Sequence, residues 1–203
     1  MTRSLSGVVY VALIVVALLA GPYWFMALMA IFALLAVREF QTLTASTNDR
    51  STLGLLISTV DIAAAVGLCL LTYDDMTSVL MDIVVIAAYM IARVVLALYD
   101  KRPDAFASVG KSVLSVLYIG VPLALAALLN NMSTHMPHLM LIIFIMIWLN
   151  DTGAYCVGCT IGRHRLFERL SPKKSWEGFW GGLVFCVGAG IACSFALAKG
   201  TMP

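Results

Sequence analysis

The sequence predicts an all-α integral membrane protein: a polytopic bundle of about seven transmembrane helices with a cytosolic basic loop before the last helix. Three observations carry this. The 203 residues are 62% hydrophobic and only 12% charged, whereas a soluble domain is nearer about 45–50% apolar and about 25% charged. The apolar residues come in long runs without two-residue alternation, the pattern of membrane helices rather than strands. Finally, the basic residues collect in alternate connections between those runs.

The runs follow in order. The first covers about 7–20 and ends at the Gly21-Pro22 turn. Met1-Thr-Arg3 before it resembles a signal peptide. A second run begins at once, however, so residues 1–20 read as a retained helix. The second run, about 23–37, stops at Arg38-Glu39, and the first two runs are expected to form a tight hairpin. Residues 41–52 are polar and read as a loop. The third run, 53–72, contains Asp61; the fourth, about 79–98, contains Asp82 and Arg93. The fifth, 112–129, has Pro122 inside it, where a kink is expected. The sixth runs from about 139 to 157 and the seventh from about 181 to 198. Three regions result: 1–52, an N-terminal hairpin and loop; 53–138, the middle helices; and 139–203, expected to begin a catalytic membrane region.

Eleven of the thirteen Lys and Arg residues lie before the first run or after the second, fourth and sixth. The exceptions are Arg93 and Lys199, and the other connections carry no basic residue. A positive-inside reading puts the N-terminus and the loop after the sixth run in the cytosol.

Charged groups within spans are costly and often functional. Asp61 is read as paired or protonated between helices, with Asp82 at the outer interface. Arg93 is expected to snorkel to the cytosolic surface. The five cysteines lie mostly in or beside apolar runs, where Cys packs as a small hydrophobe. Cys156-Val-Gly-Cys159 has CxxC spacing but no second ligand pair, which is weak evidence for metal or redox chemistry. His135, His138 and His164 read as surface residues.

The chemistry concentrates in 148–182. Asn150-Asp151 falls inside the sixth helix or at its cytosolic end, where a carboxylate is placed to hold a divalent cation. Magnesium usually takes one or two carboxylates together with substrate phosphates. Ser171-Pro-Lys-Lys-Ser-Trp-Glu-Gly178 sets Lys173 and Lys174 between hydroxyls, point charges and donors suited to phosphate. Pro172 is expected in the first turn of the last helix with Ser171 as its N-cap. Glu177 could orient a lysine or join a cation site. The competing reading is a positive loop touching anionic headgroups.

These residues resemble the phosphatidate cytidylyltransferase (CDP-diacylglycerol synthase) family. The likeness rests on Asn150-Asp-Thr-Gly-Ala-Tyr155, Gly162-Arg-His164, Leu170-Ser-Pro-Lys-Lys-Ser-Trp-Glu-Gly178 with Gly181-Gly182, and Arg38-Glu39-Phe40 with Leu43. The resemblance implies a bacterial inner-membrane enzyme that joins CTP to phosphatidate with Mg²⁺, works as a homodimer among membrane lipids, and has no nucleic-acid partner. Lys173, Lys174 and Asp151 would be catalytic. Asn150, Arg163, Ser171, Ser175 and Glu177 would bind substrate, and Asp151 and Glu177 would hold metal. The family's further signature is a Ser-x-x-Lys-Arg segment, a Lys-Asp pair, then Pro-Gly-His-Gly-Gly and Asp-Arg-x-Asp. It is not found in this sequence, so a truncated or shortened relative with part of its metal site elsewhere is the expectation. Alternatives are a related CTP-dependent lipid kinase, another lipid cytidylyltransferase, or a non-catalytic scaffold or transporter using Asp61 and Arg93.

Overall fold

A computed structural model of the chain describes residues 2–44, 52–71, 76–132, 139–169 and 171–198. His135, His138 and Leu170 lie outside the described residues. Six helices are long and apolar enough to cross a membrane, and Gly7–Ala20 forms a shorter apolar helix. The chain is an integral membrane protein, and it divides into two compact units, residues 1–137 and 138–203.

In the first unit, α1 (Thr2–Ala20) and α2 (Pro22–Thr44) are joined by Gly21 alone. That residue has φ +122°, a conformation that side-chain-bearing residues rarely adopt. Pro22 opens α2 where its missing N–H costs nothing. Phe25, Met29, Ala33 and Val37 recur every fourth residue on α2 and are buried. Ile57, Asp61, Ala65 and Leu68 are buried on α3 (Thr52–Leu71), which packs against α2. α4 (Met76–Tyr99) follows. Next comes one long helix in three parts: α5 (Ala105–Ser115), a π-helical turn (Val116–Gly120) and α6 (Val121–Met132). The π turn is the form taken by the interruption expected at Pro122. Proline offers no N–H and its ring crowds the carbonyl four residues back. The ladder shifts instead, and the Val121 N–H bonds to the Val116 carbonyl. Large apolar side chains such as Leu19, Trp24 and Ile91 face outward, as lipid contact requires.

Two readings of this unit need correction. Residues 41–44 are helical, not loop, because Gln41 finds partners on α3. Arg93 does not snorkel: it is 1% exposed, as is Asp61. Its Nε lies 3.3 Å from Asp61 Oδ1, an ion pair by distance though not aligned as a hydrogen bond. Its Nη2 donates to Ser112 Oγ at 2.8 Å. Tyr89 Oη donates to Asp61 Oδ1 at 2.9 Å and Gln41 Nε2 to Asp61 Oδ2 at 3.2 Å. Ser58 Oγ donates to Gln41 Oε1 at 2.6 Å. One buried acid thus ties α2, α3, α4 and α5 together. Asp82 is half-buried on α4.

The second unit is a helix pair with a small sheet at one end. α7 (Leu139–Ile161) and α8 (Trp176–Ala198) are connected by an antiparallel hairpin, β1 (Arg165–Phe167) and β2 (Ser171–Ser175). Asn150, Ala154 and Val157 recur at helical spacing on α7 and meet Gly178, Gly181 and Gly182 of α8. The approach is close. A Cβ on Gly182 would lie 2.7 Å from the Asn150 carbonyl oxygen, and one on Gly178 would lie 2.8 Å from that of Ala154. Small residues that let backbones approach are how helices associate where lipid removes the hydrophobic drive.

Candidate functional site

α7 runs on to Ile161, past the end expected near residue 157. Asn150 and Asp151 therefore sit inside the helix, with Asp151 roughly 15 Å from its end at 1.5 Å per residue. Asp151 is exposed. Asn150 is half-buried, and its Oδ1 would lie 2.8 Å from a Cβ placed on Gly182, so its amide faces α8.

The stretch expected to open the last helix is a strand instead. Ser171-Pro-Lys-Lys-Ser175 forms β2, with Ser171 opposite Phe167 and Ser175 opposite Arg165 and an irregularity between them. Ser171 is not an N-cap and Pro172 is not in a first turn. Both are extended because β1 pairs with them, a constraint that local sequence does not carry. Lys173 and Lys174 are exposed. They lie within the irregular stretch of β2, between its two paired positions.

The cap of α8 is Ser175. Its Oγ accepts the Gly178 N–H at 3.2 Å, and the residue is 5% exposed. This is the usual bond from an N-cap oxygen to the third residue of the helix. The Ser175 hydroxyl, expected to touch phosphate, is turned into the helix start. Glu177 follows in the first turn, where the helix dipole favours an acid.

Glu177 reaches back to the turn between α7 and β1. Its Oε2 accepts the Arg163 N–H at 3.1 Å and the His164 N–H at 3.2 Å. Its Oε1 lies 2.6 Å from His164 Nδ1. The Trp176 N–H in turn donates to the His164 carbonyl at 2.9 Å. The carboxylate is 24% exposed and the imidazole 79%. His164, read from sequence as a solvated loop residue, is fastened on both sides. The signal available was Ser175 directly before Trp176-Glu177, a cap followed by a first-turn acid, which places the helix start four residues later than Pro172 suggests.

Beside this clamp opens a surface cleft of about 850 Å³, lined by Arg163, His164, Arg165, Phe167, Glu168 and Trp176 among others. Of the residues singled out for substrate or metal, Arg163 lines it; Arg165 and Trp176 were not singled out and do. Phe167 and Trp176 present exposed rings, and Trp176 also meets Phe179 edge-on with centroids 6.0 Å apart. Among the described residues no group of three or more His, Cys, Asp and Glu side chains assembles to hold a metal ion. Cys156 and Cys159 are exposed free thiols on α7.

Comparison with known proteins bears on this arrangement. A phosphatidate cytidylyltransferase of Staphylococcus aureus (strain COL) is 26% identical over 187 residues, covering 91% of this chain and 67% of the relative. One from Staphylococcus haemolyticus (strain JCSC1435) is 25% identical over 185 residues, 90% of this chain and 67% of the relative. One from Staphylococcus saprophyticus is 35% identical over 85 residues, 42% of this chain and 32% of the relative. The chain thus spans about two thirds of the length of the relatives it matches most fully. No solved structure matches it. The family model for the cytidylyltransferases matches residues 1–202, and the chain belongs to the cytidylyltransferase family.

Proposed function

We propose that this protein transfers the cytidylyl group of CTP to phosphatidate, giving CDP-diacylglycerol and pyrophosphate in phospholipid biosynthesis. The observation that carries the reading is a basic hairpin, with exposed aromatic rings beside an open cleft, set at one end of an apolar helix pair in a chain of this family. A water-soluble triphosphate and a membrane lipid can meet only at such a boundary.

The phosphate oxygen of the lipid would attack the α-phosphorus of CTP. The bond from that phosphorus to the bridging oxygen breaks, and pyrophosphate leaves. The cleft can hold the nucleotide, since pockets for molecules of this size run about 300–1,000 Å³. Trp176 and Phe167 offer ring faces to cytosine. Arg163, Arg165 and Lys173 or Lys174 would offset charge on the triphosphate and the departing pyrophosphate, where preorganised donors contribute most. Ser171, half-buried on β2, would add a donor, while Ser175 caps α8 and Asn150 packs against Gly182 of that helix.

Mg²⁺ is proposed as the cofactor. Asp151, which does not line the cleft and lies roughly 15 Å along α7 from that helix's end, would supply a hard oxygen donor to a cation that arrives with the triphosphate; such a cation needs only one or two carboxylates from the protein. When bound it would neutralise phosphate charge and polarise the α-phosphorus. The donor set fits a cation shared with substrate better than a closed protein site.

The orientation we propose has the N-terminus and the hairpin in the cytosol of a bacterial inner membrane. It is supported by the basic residues of alternate connections and by the bacterial relatives. A homodimer is proposed on the resemblance alone, and native mass spectrometry from detergent would test it.

The test of function is incorporation of label from CTP into phosphatidate by the purified chain in detergent, with and without Mg²⁺. Lys173→Ala and Asp151→Asn are each expected to lower incorporation about 100–1,000-fold, in line with loss of one positioned stabilising group. Equal incorporation by wild type and both variants would sink the site as drawn.

A further inference from the structure

Glu177 is the acid in this unit whose oxygens are spoken for. Two consecutive backbone N–H groups and one imidazole nitrogen converge on its carboxylate, at 3.1, 3.2 and 2.6 Å. A divalent cation at the same oxygens would face those N–H dipoles head-on. It would have to share those oxygens with three donors already in place, two of which cannot swing away because they belong to the backbone. The carboxylate is therefore already used, as an anion held in a nest of amides.

The bonds also run between elements. Arg163 and His164 begin the segment that enters β1, and Glu177 belongs to the first turn of α8. The Trp176 N–H to His164 carbonyl bond closes the same ring from the other direction. The turn at 162–164 and the start of α8 are thus one braced piece, and Arg163, Arg165 and Trp176 on the wall of the cleft all spring from it.

We infer that Glu177 is a positioning residue and not a metal ligand: its carboxylate locks the Arg163–His164 backbone to α8 and so fixes the basic and aromatic walls of the cleft on which the triphosphate is read. This rests on the cytidylyltransferase reading for the identity of the ligand, and on geometry alone for the lock. His164 makes the shortest contact, 2.6 Å, but through its side chain. The backbone donors remain if its ring is removed.

The test uses the full chain in detergent and variants Glu177→Ala, Glu177→Gln and His164→Ala. Hydrogen–deuterium exchange reads the lock without substrate. In Glu177→Ala the amides of 162–164 are expected to exchange about tenfold or more faster, the scale of a lost charge-assisted hydrogen bond. Peptides from α2 and α3 should be unchanged. Glu177→Gln keeps one acceptor oxygen and is expected to fall between, and His164→Ala to stay within about twofold of wild type. Unchanged exchange at 162–164 in Glu177→Ala overturns the lock. For the ligand, equilibrium binding of labelled CTP is titrated against Mg²⁺. Glu177→Ala is expected to weaken CTP about tenfold at saturating Mg²⁺ and to leave the half-saturating Mg²⁺ concentration where it was. A rise in that Mg²⁺ concentration, with CTP affinity restored by excess metal, makes Glu177 a metal ligand and overturns the inference. Faster exchange in Glu177→Ala from a wild-type chain that binds no CTP upholds the lock and overturns its assignment to a triphosphate.

Discussion

The two units use charge in opposite ways. In residues 1–137, Asp61 and Arg93 lie at 1% exposure and are met by side chains from four helices: Gln41, Tyr89 and Ser112 with each other's charge. In residues 138–203, Arg163, Arg165, Lys173, Lys174 and Asp151 are exposed, and the Glu177 carboxylate is tied to backbone and a ring. A charge buried against an opposite charge inside its own fold is out of a ligand's reach. A charge left at the surface contributes little to stability and is available for chemistry. The difference separates buried, paired ionisable groups from exposed ones without reference to sequence position, and it can be broken from either side.

The largest effect is expected in the first unit. Arg93→Met leaves the Asp61 carboxylate buried without its countercharge, and Asp61→Leu strands the guanidinium. Each should cost about 3–5 kcal/mol, because an uncompensated buried charge is the expensive state. The double variant Asp61→Leu with Arg93→Met removes both charges and should recover most of that loss. Unfolding of the four proteins in one detergent forms a double-mutant cycle. Additive losses would mean that the two residues are not a unit, and the contrast between the units would lose its first half.

The next effect reverses the readout. Lys173→Ala and Asp151→Asn should leave the unfolding midpoint within about 0.5 kcal/mol of wild type, as surface substitutions usually do, while lowering cytidylyl transfer as stated above. A loss of stability comparable to that of Arg93→Met would move these residues into the structural class.

Smaller again is Gly182→Ala. The new methyl would meet the Asn150 carbonyl oxygen at 2.7 Å, so α8 must move off α7. Overpacking of this kind costs about 1–3 kcal/mol. The damage should stay in the second unit, with faster amide exchange along α7 and α8 and none in α2 or α3. Uniform loss of protection would contradict the division into two units.

These contrasts also show which features could be read from the residues alone. The apolar runs fixed the helices because lipid allows few alternatives, and the six long spans and the shorter Gly7–Ala20 helix fall on the seven runs. Helix ends were less readable. α2 continues to Thr44 because Gln41 is held by Ser58 and Asp61, partners far along the chain. Arg93 looked like a snorkelling residue because hydropathy cannot see Asp61 on another helix. In the site, the residue types suited to phosphate were legible in Lys173, Lys174 and Arg163. Their arrangement was not: Ser-Pro-Lys-Lys-Ser has no alternation to announce a strand, and only pairing with β1 extends it. The clamp on His164 was equally hidden, since it joins a turn to a helix start through backbone donors that have no sequence signature.

The smallest effect concerns a pair between the two extremes. Asp100 follows α4, and its carboxylate accepts the Arg102 backbone N–H at 3.1 Å. It also takes Arg102 Nε at 2.9 Å and Nη2 at 2.6 Å. The backbone bond is an Asx turn, which shapes the chain between α4 and α5, and the guanidinium fork adds charge to it. The hydrogen bonds from Arg102 hold the Asp100 carboxyl below the usual carboxylate range. A group with a depressed folded-state value stabilises the fold above its unfolded value, and that contribution is lost as the pH falls through the folded value. Stability should therefore be flat near neutrality and decline in acid, through a pair whose side chains are 4% and 14% exposed. Asp100→Asn keeps the Asx turn through its amide oxygen but cannot titrate. It should remove that part of the acid decline and leave CTP transfer untouched. An unchanged acid limb in Asp100→Asn would show that Arg102 holds the loop by geometry, with the charge of Asp100 incidental.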